Sequence, residues 1–207
     1  MTTEPTPAVP VGNTYDKYAS QNPIERSMMK RFLATLDTMV EGSSPETILE
    51  VGVGEGEILQ HITRQFPEAR AIGVDLPDEA LAGEWQQRGI VGEFGDVTAL
   101  RFTDNEFDLV LAIEVLEHVP DFDAALRELA RVCRGTVVLS VPSEPVWRIG
   151  NMARGRYLRQ WGNTPGHVNH WSRRAFVRAV SRHFEVDKAA SPLPWTMLRA
   201  RPRAGTR

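Results

Sequence analysis

Residues 161 to 171, WGNTPGHVNHW, hold two tryptophans, two histidines, two asparagines and a Pro-Gly turn. His167 and His170 are three apart, a spacing at which two imidazoles can share a metal ion. No cysteine is near, and residues 145–184 contain neither Asp nor Glu, so a third ligand must come from elsewhere. No metal is expected on this reading. Two uses compete. Either histidine could act as general base, since imidazole titrates near neutral pH. Alternatively, Asn-Thr-Pro-Gly is a turn and the Asn and His side chains tie the loop to its own backbone.

A second chemical stretch is ILEVGVGEGE, in which Gly52, Gly54 and Gly56 lie between an apolar run and a helical pattern. Glycines let the backbone turn tightly and approach a ligand, and a helix start offers N–H groups to an anionic moiety. Asp75 ends the next apolar run, 23 residues after Gly52, where a carboxylate can accept both hydroxyls of a ribose. The dinucleotide pattern wants its third glycine at position 57, which here is Glu57. With Glu50 and Glu55 nearby, that acid is a poor neighbour for a pyrophosphate and a tolerable one for a ligand carrying positive charge.

The elements that position these residues follow from periodicity. PIERSMMKRFLATLDTMV spaces Ile24, Met28, Phe32, Leu36 and Met39 as an amphipathic helix. TILEV, ARAIGVD, VGEFGD, EFDLVLAIEVL and GTVVLSVP read as strands, mostly apolar on both faces, with helices between them. PDEALAGEWQQR is a helix opened by Pro77, and DFDAALRELARVC is one capped by Asp121 or Asp123. Such alternation predicts a doubly wound α/β fold with a mostly parallel sheet. Residues 172–181 form a last helix, and HFEVDKAA and WTMLRAR a hairpin, so seven strands are expected, one antiparallel at the chain's end. Cys133, the lone cysteine, is read as a core residue. His118 is read as packing rather than a base, and Glu117 as solvated or capping.

Composition bounds the rest. With 42% apolar and 25% charged residues, one ordinary globular domain over 1–207 is expected. No apolar stretch is long enough to span a bilayer, and residues 1–13 read as a flexible leader rather than a secretory signal. A cytoplasmic protein, monomeric or homodimeric, is expected. The net charge of −3 divides unevenly: residues 147–207 hold 13 Lys+Arg against only Glu185 and Asp187. Its uses would be an anionic substrate, an anionic membrane surface or, last, nucleic acid, set against plain solvated arginine in a chain with three lysines.

Taken together, ILEVGVGEGE, AIGVDLPDEAL, FGDV, FDLVLAIEVLEHV and VVLSVP resemble the class I S-adenosylmethionine-dependent methyltransferases from about residue 46 to 142, particularly their ubiquinone/menaquinone-type and general small-molecule branch. The resemblance implies a Rossmann-like core and S-adenosylmethionine as cofactor. Glu50 and the Gly52, Gly54 and Gly56 backbone would hold its methionine end, and Asp75 its ribose, with Leu76 against the adenine. Asp96, otherwise a turn acid, would meet the adenine amino group, with Val97 flanking the ring. Ile113 and Glu114 would line the sulfonium. The acceptor would be a small or lipid-like metabolite offering a hydroxyl, amine or activated carbon. Nucleic-acid or protein methylation, or a scaffold without turnover, is the alternative.

Methyl transfer needs aligned partners and a dry site, so a cap is required. The expected cap is residues 142–171 with the N-terminal helical region 14–41. It includes Tyr15, Tyr18, Trp147, Arg148, Met152, Tyr157, Trp161 and Trp171. Ile149, Met152, Ala153, Tyr157 and Trp161 fit one helical stripe there, while Gly150 and Gly155 weaken it.

Overall fold

The computed structural model describes residues 22–153, 155, 161–164 and 166–204. Tyr15, Tyr18 and Tyr157 lie outside the described residues.

Seven strands form one sheet in the order β3-β2-β1-β4-β5-β7-β6. They are β1 (Thr47–Val51), β2 (Arg70–Asp75), β3 (Gly92–Phe94), β4 (Phe107–Ile113), β5 (Cys133–Pro142), β6 (Phe184–Ala190) and β7 (Trp195–Pro202). The first five pair in parallel. β7 runs antiparallel to both neighbours and slots between β5 and β6, so the antiparallel strand is last in the chain but not at the sheet edge. The helices are α1 (Pro23–Val40), α2 (Glu57–Thr63), α3 (Glu79–Arg88), α4 (Phe122–Val132), α5 (Val146–Ala153) and α6 (Arg173–Val180).

Helix starts follow local chemistry. Asn22 caps α1 by accepting from the Ile24 N–H at 2.9 Å, with Pro23 at the first turn. Asp121, not Asp123, caps α4. Asp78 caps α3, so Pro77 precedes that helix rather than opening it.

β1 and β4 are buried almost throughout because helices cover both faces. One face carries Leu49, Val110, Leu126, Leu129 and Phe184, and the other Phe32, Leu36, Ile48, Leu109, Leu111 and Trp195. Cys133 lies in the first core, at the joint of α4 and β5, and burial pushes its thiol up to about 12.

Asp108 ties β1, β4 and β5 together at their amino ends. It accepts from the Glu46 and Thr47 N–H groups, from the Thr47 hydroxyl, and from Arg134 Nε and Nη2 at 2.6 and 2.8 Å. The Arg134 guanidinium, helped by Thr47, holds the carboxyl at about 2 against an ordinary 3.8. A depressed carboxyl contributes stability that is complete above its unfolded value and lost as pH falls toward the folded one. Asp108→Asn will therefore cost about 1 kcal/mol at pH 7, kept small by solvent exposure, and nothing below pH 2. Urea unfolding at several pH values checks this.

Candidate functional site

The sheet reverses its order between β1 and β4, and the crevice outside the carboxyl ends of those strands is where open α/β sheets bind ligands. Both sequence-marked segments reach it.

From the β1 side comes the glycine loop. The Gly52 and Val53 N–H groups donate to Val74 O at 2.7 and 3.1 Å, folding the loop back over β2. Gly52 has φ +67° and a Cβ there would meet Val115 Cγ2 at 2.3 Å; Gly56, with φ +88°, would meet Ile90 Cδ1 at 1.8 Å. Only glycine fits either position. Gly54, by contrast, has nothing within 4 Å of an added Cβ, so the loop's crown is open. Its carbonyl accepts from Trp85 Nε1 at 2.7 Å and its N–H donates to Asp75 Oδ2 at 2.7 Å.

Two acids sit under this crown. Glu50 is 2% exposed, and its Oε2 has no hydrogen-bond partner. Burial, reinforced by the charge of Asp75, pushes its pKa well above the usual carboxylate range. Asp75 is also raised, chiefly by burial, although the Gly54 and Leu76 N–H groups oppose the shift. A pair of desolvated carboxylates beneath an open backbone loop suits a cation. Glu57 is turned away from the loop, bonding Arg88, which also pairs with Glu84 at 3.4 Å. Leu76 is exposed beside Asp75, while Asp96 binds the Thr98 N–H and hydroxyl through Oδ1 in a turn and Val97 packs on the core.

From the β4 side come Ile113, nearly buried, and Glu114, which adopts φ +62°. A left-handed non-glycine residue at a crevice is strain of the kind kept at functional sites. Glu114 Oε2 accepts from Trp195 Nε1 at 2.6 Å and Oε1 from the Ser140 hydroxyl at 3.1 Å. Its side chain is thus anchored to β5 and β7.

The described parts of 142–171 pack on this side. Ser143 bridges to Trp171, and Glu144 N donates to Trp171 O at 2.8 Å. The expected stripe through Ile149 is not the packed face of α5: Ile149 is 57% exposed and Trp161 76%. Trp147 and Asn151 turn inward instead, Trp147 Nε1 donating to the Thr164 hydroxyl at 2.9 Å and Asn151 Nδ2 to Gly162 O at 2.9 Å. Trp147 stacks toward His167 and tilts against Trp195. Met152 is half-buried, and Arg148 lies near the Glu144 carboxyl, as does His170 at 3.7 Å. Burial raises the pKa of Glu144. Trp171 packs against Phe122 and Phe176, holding the segment's end to the core.

The loop ties expected within 161–171 are made to another segment. The Val168 and Asn169 N–H groups donate to Glu117 O at 2.9 and 3.0 Å, and Asn169 Nδ2 donates to Leu116 O and Val119 O. His118 Nδ1 donates to Gly166 O at 3.0 Å. Glu117, read from sequence as solvated or capping, is 1% exposed. Missed with it was Glu144; each is the acid at a strand exit that meets a histidine only in the fold. Part of the basic third serves structure: Arg173 and Arg203 bind backbone carbonyls and Arg199 binds Asp187.

These features define an α/β protein with a ligand crevice at its topological switch point. Residues 49–140 match the family described as a methyltransferase domain. The chain is 35% identical, over 50% of its length, to a demethylmenaquinone methyltransferase of Roseiflexus castenholzii, covering 47% of that protein. It is 36% identical, over 56% of its length, to a fatty-acid O-methyltransferase of Mycolicibacterium smegmatis, covering 42%. It thus spans about half the length of these relatives. Among solved structures, the magnesium protoporphyrin IX methyltransferase of Synechocystis PCC 6803 with bound S-adenosylhomocysteine shares the fold, with TM-score 0.66 and 17% identity over 89% of each chain. Residues 49–140 thus carry the pattern of a methyltransferase domain, on a fold shared with a methyltransferase that binds S-adenosylhomocysteine.

Proposed function

We propose that this protein transfers a methyl group from S-adenosylmethionine to an oxygen, nitrogen or activated carbon of a small or lipid-like metabolite. The observation that carries the reading is the buried Glu50–Asp75 pair beneath the open Gly54 crown. When bound, S-adenosylmethionine supplies an activated methyl on a sulfonium. The chain's task is to bind, orient and exclude water. Glu50 and the Gly52, Gly54 and Gly56 backbone take the cationic methionine end. Asp75 takes the ribose through the oxygen lone pairs its two N–H donors leave over. Leu76 and Val97 flank the adenine, Asp96 meets its amino group, and Ile113 and Glu114 face the sulfonium side.

We read residues 142–171 and the N-terminal helical region as the acceptor cap, with Trp147, Arg148 and Met152 toward the acceptor. His170, beside Glu144, is the proton acceptor where the reaction needs one. The relatives act, by name, on demethylmenaquinone and on the oxygen of fatty acids, which favours an apolar acceptor. Exposed Val146, Ile149 and Trp161 suit contact with a membrane surface that presents such a molecule. No helix among the described residues is long and apolar enough to cross a membrane, and we assign the protein to the cytoplasm.

Calorimetry with S-adenosylmethionine and S-adenosylhomocysteine tests the first half. Binding of both, and none of nicotinamide dinucleotides, is expected; silence with both rejects the reading. A labelled-methyl assay on cell extract identifies the acceptor, and binding without turnover would favour a scaffold. His170→Ala will lower kcat by about 100-fold or more, measured with that acceptor; unchanged turnover removes the base assignment.

A further inference from the structure

The fold assembles one carboxylate and two imidazoles that the sequence keeps far apart. Ligand atoms of Glu117, His118 and His167 all lie within 4.8 Å of one another. We infer that this cluster is a divalent metal site, taking a transition ion such as Zn²⁺, Mn²⁺ or Co²⁺, and that the ion holds the oxygen-bearing end of the methyl acceptor. The second clause rests on the methyl-transfer reading; the first does not.

Three observations carry the site. Its donor set, two imidazoles and one carboxylate, matches borderline divalent ions, which such ligands hold at about 2.0–2.2 Å. Three protein ligands leave coordination positions for another molecule, as in catalytic rather than structural sites. The supporting contacts are also those of a ligand set. A carbonyl can only accept, so the 3.0 Å contact of His118 Nδ1 with Gly166 O fixes the proton on Nδ1 and directs the Nε2 lone pair elsewhere. His167 is 9% exposed, held edge-on to His118 with ring centroids 4.9 Å apart and stacked toward Trp147. Glu117 is fixed by the Val168 and Asn169 N–H groups on its carbonyl, which draw His167 alongside.

Position links the site to the crevice. Val115 presses on Gly52 so closely that a Cβ there would lie 2.3 Å from its Cγ2. The segment bearing Glu117 and His118 therefore leaves β4 against the cofactor loop. An oxygen bound to the ion lies on the acceptor side of that loop, under the cap. The partner of His167 is thus not His170, as spacing suggests, but a pair from the end of β4.

The test uses full-length protein stripped with chelator and freed of any affinity tag, titrated with Co²⁺ followed by visible absorption and with Mn²⁺ followed by electron paramagnetic resonance. We expect one equivalent bound. Both His167→Ala and His118→Ala should weaken binding by at least about 100-fold, the upper end of what losing a supporting contact alone produces. The exposed His118 keeps the test meaningful if the His167 variant folds poorly. His61→Ala, which removes a histidine paired with Asp37 instead, should bind as wild type. No stoichiometric site, or equal affinity in the His118 variant, overturns the proposal. S-adenosylmethionine binding is measured on the same stripped protein. Cofactor binding without metal binding rejects the metal site alone; metal binding without cofactor binding rejects the methyl-transfer reading and leaves the site standing.

Discussion

Glu50→Gln will make the cofactor-free protein harder to melt and will cost it roughly 100-fold in affinity for S-adenosylmethionine. Both effects have one cause. Glu50 is buried with an unpartnered oxygen and a neighbouring acid, Asp75, so its charge is expensive in the folded state. Its carboxyl is held well above the ordinary value, so the native protein binds a proton that the unfolded chain releases. Such a group lowers stability as pH rises from the unfolded pKa toward the folded one. Glutamine escapes that loss. The variant's advantage should be absent near pH 4 and reach about 1–3 kcal/mol at neutral pH, the range seen when buried charges are replaced by neutral groups. A cationic ligand recovers the cost by binding the ionised form. Wild-type affinity should then rise with pH through the raised carboxyl range, and the glutamine variant should lose most of that dependence. Thermal melts and calorimetry across pH check both halves. A destabilised variant with intact binding would sink the assignment of Glu50 to the cofactor.

Trp195→Ala will lower stability by about 3–5 kcal/mol, the usual cost of emptying a large aromatic site. Trp195 is 3% exposed, meets Phe32 of α1 edge-on at 5.0 Å and Trp147 of α5 at 5.9 Å, and donates to Glu114. One side chain thus joins the first helix, the last strand, α5 and the strained residue at the β4 exit. Trp195→Phe separates packing from hydrogen bonding. It should restore most of the stability in urea unfolding while leaving Glu114 without its indole donor, so that turnover falls although the protein stays folded.

The parallel core was readable because β1 and β4 are apolar on both faces, and because three glycines and Asp75 stand at the exits of neighbouring strands. Those are local patterns, and the fold class follows from their repetition. The contacts made by the segment after β5 were not readable by the same means. His167 meets Glu117 and His118 through a contact closed between His118 and Gly166, 48 residues apart. Spacing within WGNTPGHVNHW could suggest only His167 with His170. The inward face of α5 was misread for a related reason. In an eight-residue helix containing Gly150, three apolar residues fit more than one stripe, and Trp147 was chosen by the pocket among Thr164, His167 and Trp195. The placement of β7 between β5 and β6 likewise depends on what β5 offers as a partner, not on β7 alone.

That placement has a consequence for synthesis on the ribosome. β5 carries Val137, Leu139 and Val141 into the core, and one of its two edges is completed only by β7, from Trp195 to Pro202. α1 gains its ring contact with Trp195, and the bond from Arg199 to the Glu41 carbonyl at its C-cap, from the same late segment, and the bond from Lys188 to its last turn from β6. A nascent chain that has emerged only as far as Pro142 therefore presents a long apolar edge strand and an unpacked first helix. Contacts so distant along the chain form slowly, and an open strand edge invites pairing with other chains in the meantime.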